Sequence, residues 1–95
     1  MFGSDIHQRI KAEYGASAPA VIQELEKFIA SFRALYGTHP SDRVIRCIVH
    51  LAARKREDVT YGIEVALRDW RDVIYSAEYD GADKRIRDFN QRFPD

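Results

Sequence analysis

The chain holds 95 residues, 15 basic and 15 acidic, for a formal net charge of zero. That length builds one domain with one modest core. A composition 45% hydrophobic and 32% charged argues against disorder, and no apolar run approaches the roughly 20 residues of a membrane span.

Six helices are expected, in chain order, from apolar spacing and from the placement of Pro and Gly. The first covers about Asp5–Tyr14, capped by Ser4, with Ile6, Ile10 and Tyr14 on one side. The second covers about Ala18–Tyr36 behind a Ser17 cap. Its apolar residues, from Val21 to Leu35 and Tyr36, fall in one stripe roughly 140° wide at about 100° per residue. The third covers about Asp42–Lys55 with Ser41 as cap and Val44, Ile45, Ile48, Leu51 and Ala52 inward. The fourth covers about Val59–Arg68 after Asp58. Asp69 then caps a fifth, Trp70–Tyr79, in which Trp70, Val73, Ile74 and Ala77 recur at helical spacing. Trp70, the one tryptophan, is expected to be largely buried. The sixth covers about Ala82–Phe93, with Ile86, Phe89 and Phe93 on one side. The β-branched stretches do not alternate with period two, so strands are not expected. The sum is an all-α, compact single-domain bundle of five to six helices, residues 1–95, with short antiparallel connections.

Zero net charge conceals segregation. Residues 38–56 carry five Arg or Lys side chains against Asp42 alone, and residues 57–83 carry eight carboxylates against Arg68 and Arg71. Arg43, Arg46, His50 and Arg54 follow i, i+3, i+7 and i+11, one stripe opposite the apolar face. Two readings are open. The stripe is a phosphate or nucleic-acid track, since guanidinium suits phosphate, or it is a solvated face that pairs with the acidic segment. A helix-turn-helix reading fares poorly: the fourth helix would present Thr60, Tyr61, Glu64, Val65 and Arg68, and Glu64 repels phosphate.

No catalytic or metal-binding pattern emerges. His7, His39 and His50 are far apart in sequence and match no metal-ligand spacing. Cys47 is the single cysteine; it excludes an internal disulfide framework and reads as a small core hydrophobe. No nucleophile elbow or phosphate-binding loop is present. No cofactor is expected, and an enzymatic role has no residues to carry it. The first residues lack the apolar stretch of a secretory leader, which with the lone cysteine predicts a cytoplasmic protein.

Aromatic placement is more informative. Tyr61 and Val65 point away from the buried face of the fourth helix, and Tyr75 and Tyr79 away from that of the fifth. Together they form a candidate partner surface, because tyrosine joins an apolar ring to a hydroxyl that tolerates water. Coverage by the sixth helix, or isolated exposure, are the other readings. Residues 71–79 read RDVIYSAEY. This segment resembles one in small, uncharacterised bacterial helical proteins where an RDV-then-AEY pattern recurs. The resemblance implies a bacterial source and transfers no functional residue. The expectation is a non-enzymatic protein-interaction module, self-associating as a homodimer or binding another protein, with no membrane contact. The alternative is a nucleic-acid or phosphate binder through the Arg43/Arg46/His50/Arg54 stripe.

Overall fold

A computed structural model describes residues 2–94 of the chain. Four α-helices follow in order: α1 (Ser4–Tyr14), α2 (Ala18–Tyr36), α3 (Asp42–Ala52) and α4 (Arg56–Glu78), with a 3-10 turn at Gly15–Ser17. Among the described residues there is no strand, only an isolated bridge between Tyr79 and Arg85. The Cα radius of gyration is 12.5 Å, that of a compact chain of this size. The chain is therefore all-helical and compact, with fewer helices than the five to six expected.

Local chemistry explains where helices begin and stop. Ser41 caps α3 as anticipated, its Oγ accepting the Val44 N–H at 3.4 Å. Ser4, Ser17 and Asp58 do not act as caps: the positions before α1, α2 and α4 are Gly3, Ser17 in a helical conformation without a side-chain bond, and Lys55. Gly37 ends α2 at φ +78°, where its N–H reaches the Arg33 carbonyl at 2.8 Å. This left-handed geometry suits glycine. α3 ends at Ala52, short of the expected Lys55, because Ala53 and Arg54 turn left-handed at φ 49° and 71°.

The fourth and fifth expected helices run as one 23-residue helix, α4, broken at Asp69 (φ −158°, ψ 102°). Asp69 Oδ1 accepts the Arg71 N–H at 3.1 Å, the N-cap bond of the second half. Tyr36 on α2 donates its hydroxyl to the Leu67 and Arg68 carbonyls at 3.0 and 3.4 Å, satisfying acceptors at the end of the first half. Trp70, one residue past the break, is 36% exposed, against the expectation of a buried ring. The buried line of the second half runs through Val73 and Ala77, and Trp70 sits at its edge. Leu35 and Leu51, expected inward, are also exposed.

α3 is the central element. Its six consecutive residues Val44–Val49 are all buried, because α4 and α1 flank it and the segment after α4 reaches Arg46 as well. α4 approaches most closely at Gly62, where an added Cβ would stand 3.2 Å from Ile48 Cγ2. A helix buried on all sides has to satisfy its polar residues internally. Arg46 is 6% exposed. Its Nε donates to Asp5 Oδ2 at 2.9 Å, and its Nη1 to the Phe89 carbonyl at 3.0 Å. Arg43 grips the fully buried Glu78 with two bonds, at 2.8 and 2.6 Å.

The sixth helix is not formed. Residues 79–94 instead run as turns and extended chain across α3. Carboxylates capture the N–H groups that a helix would use. Asp80 Oδ1 accepts from Ala82 and Lys84, Glu78 Oε2 from Phe89, Asp88 Oδ1 from Asn90, and Asp5 Oδ2 from Phe93. Phe89 and Phe93 are buried by this path, while Ile86 is left exposed.

The Arg46 guanidinium holds the Asp5 carboxyl at about 2, against an ordinary 3.8, with help from the Phe93 N–H. A carboxylate depressed on folding stabilises the fold above its unfolded pKa and loses that contribution as pH falls through the folded value. Asp5 should therefore contribute about 2 kcal/mol at neutral pH, fading between about pH 4 and 2. Urea titrations across that range should show it, and Asp5→Asn, which strands a buried guanidinium, should cost about 3–5 kcal/mol at pH 7. Conversely, Ala53→Gly relieves a left-handed alanine and should raise stability by about 0.5–1 kcal/mol in the same assay.

Candidate functional site

The break at Asp69 gives α4 two halves whose outer sides share one groove with the end of α3. The groove has a volume of about 680 Å³, and its apolar lining comes from Leu51, Tyr61, Val65 and Tyr75. Asp58, Arg68 and Asp72 supply charge within it. Tyr61 is 61% exposed and Tyr75 49%, so the chain after α4 does not cover these rings. Tyr61, Val65 and Tyr75, expected as one surface, are thus brought together. Tyr79 stands apart: it is half-buried, outside the lining, and its ring stacks on Tyr75 at 5.1 Å and 12°. Its role is to hold the Tyr75 ring. Leu51 and Gly62 belong to the groove although sequence spacing assigned Leu51 to the core; its position at the edge of a helical stripe is the one signal that pointed outward.

The Arg43/Arg46/His50/Arg54 set does not form an open stripe. Arg43 and Arg46 are committed to Glu78 and Asp5. His50 is half-buried with its ring 4.9 Å from that of Phe89. Arg54 lies beyond the end of α3 and is exposed. The physical reason is the path of residues 79–94 over this face, together with Asp5 from α1. Guanidinium groups bonded to buried carboxylates are poor phosphate ligands, since a phosphate would have to displace an established charge pair. Helical spacing correctly aligned these residues but could not reveal partners 35 and 41 positions away.

The remaining reactive groups are quiet. Cys47 is fully buried, and burial, seconded by the Glu78 charge, pushes its thiol up to about 12. Burial, then the Arg87 and Arg9 charges, lower the His50 pKa against an opposing Glu13, so the imidazolium form is disfavoured. Among the described residues no three His, Cys, Asp or Glu side chains converge as a metal ion requires, and no helix is long and apolar enough to cross a membrane. Compared with protein-family models, with curated proteins and with solved structures, the chain matches none.

Cys47 yields a test of the core. A thiol that is both buried and protonated should resist iodoacetamide in the native state. Labelling is expected to follow the urea unfolding curve; rapid labelling without denaturant would place Cys47 at a mobile edge instead.

Proposed function

We propose that this chain is a protein-interaction module that receives an amphipathic segment of another protein in the groove between α3 and the two halves of α4. The observation that carries the reading is the exposure of Tyr61 and Tyr75 around an apolar floor. A monomer gains nothing from holding two tyrosines in water beside Leu51 and Val65, whereas a partner surface does. Tyr75 is also restrained by its stack on Tyr79, so less freedom is lost when a partner packs on it.

Charge narrows the occupant. The groove carries Asp58 and Asp72 against Arg68, and the first turns of α4 add the exposed Glu57 and Glu64 against Arg56. A partner with an apolar face flanked by Lys or Arg is complementary to this rim. The role is contact, and the one thiol is buried and held protonated.

The test uses an amphipathic helical peptide with a basic flank, selected against the protein from a display library. Amide shifts should change at Leu51, Tyr61, Val65 and Tyr75 on binding. Tyr61→Ala should leave stability within about 0.5 kcal/mol and weaken binding by about 2 kcal/mol, or roughly 30-fold. Undiminished binding by Tyr61→Ala would overturn the groove as the site. Light scattering over a concentration series distinguishes the other occupant: a dimer lost in Tyr61→Ala would make it a second copy of this chain.

A further inference from the structure

A second cavity, open to solvent, lies where the segment after α4 meets α1 and the end of α3. Its volume is about 400 Å³, and it is lined by Arg9, His50, Arg87 and Arg92 with the rings of Phe89 and Phe93 as apolar wall. The cations outnumber the anions that reach them. Arg9 is bonded to Glu13 at 2.5 Å and lies 4.6 Å over the Phe93 ring. Arg92 has the Ser4 hydroxyl at 3.2 Å and Asp5 at 3.8 Å, but Asp5 is already engaged by Arg46. The Arg87 side chain donates one bond, to the Ala77 carbonyl at 3.4 Å, and makes no ion pair among the described residues. Asp88, the carboxylate in the lining, is held by Arg85 at 2.8 Å.

We infer that this cavity is a binding site for a small phosphate monoester, its phosphate held by Arg87 and Arg92 and its organic body against Phe89 and Phe93, while Arg9 stays paired with Glu13 and adds only its charge. Arginine forks match phosphate oxygens bidentately. A volume of about 400 Å³ leaves room beside a phosphate group for an organic body, which the open side of the cavity leaves partly in water. The local field supports the assignment: Arg87 and Arg9 both act on His50 to disfavour its protonation, opposed by Glu13 alone. A bound dianion would reverse that field. The site is independent of the tyrosine groove, which lies on other residues.

His50 is the reporter. Its ring protons, followed by NMR against pH, give its pKa with no ligand, with inorganic phosphate, with phenyl phosphate and with a short single-stranded oligonucleotide. The expected result is an upward shift of about half a unit or more on saturation with phenyl phosphate, and binding at least about fivefold tighter than inorganic phosphate because of the aromatic wall. Arg87→Gln should raise the His50 pKa of the free protein, which shows the fold and field intact, and weaken phenyl phosphate binding at least about fivefold. Arg54→Gln, off the cavity, should change neither. No shift of His50 with either phosphate, or binding unaffected by Arg87→Gln, would overturn the site. Tighter binding of the oligonucleotide than of phenyl phosphate would overturn the small-ligand assignment in favour of a nucleic-acid strand.

Discussion

Burying the guanidinium of Arg46 is the constraint on which the rest of the structure depends. α3 is wrapped on all sides, so its one fully enclosed cation needs anionic and carbonyl partners delivered from elsewhere in the chain. Asp5 comes from α1 and the Phe89 carbonyl from the segment after α4. A few ångströms away Glu78 does the reverse, a buried anion answered by Arg43, Arg85 and the Phe89 N–H. The Phe89 residue therefore offers its carbonyl to one cluster and its N–H to the other. Such pairs contribute little net energy over apolar packing but are severe on any arrangement that leaves one partner alone. They select this path for residues 79–94 among the many a short polar segment could take.

The same arrangement decides which surfaces remain open. With residues 79–94 laid over the Arg46 side of α3, the Tyr61 and Tyr75 side is left uncovered. The break at Asp69 then sets the two halves of α4 so that their tyrosines face one groove. Three hydrogen bonds maintain the break: a local one from the Arg71 N–H to the Asp69 carboxylate, and two from the Tyr36 hydroxyl of α2 to the Leu67 and Arg68 carbonyls. A long helix without them would have presented Tyr61 and Tyr75 along a straight face.

Helical periodicity made the first three helices and the outward tyrosines legible in the sequence, because each signal is carried within a few turns. Asp69 as a helix start was legible for the same reason: its cap bond spans two residues. Long-range polar contacts were not. The reading in which this face pairs with the acidic residues 57–83 covers Arg43 and Glu78, but nothing in the spacing reveals that Asp5 will meet Arg46. The sixth helix failed on the same ground. Ile86, Phe89 and Phe93 are spaced for a helix, but Asp80, Asp88, Glu78 and Asp5 take the backbone N–H groups first. Trp70 shows a smaller limit: apolar spacing placed it on the right helix but not at the centre of its face.

The bond from the Phe93 N–H to Asp5 spans 88 positions, and this bears on how the chain matures during synthesis. Arg46 emerges from the ribosome, and can meet Asp5, while Phe89 and Phe93 are still unmade. Until those two arrive, the central helix carries a cation whose surroundings are only half assembled. The helical part is then wet on the face that will later be sealed. Contacts of such separation form late and slow a fold whose other contacts are mostly local. Residues 79–94 thus act as a latch, and α3 becomes an interior helix only when the latch closes.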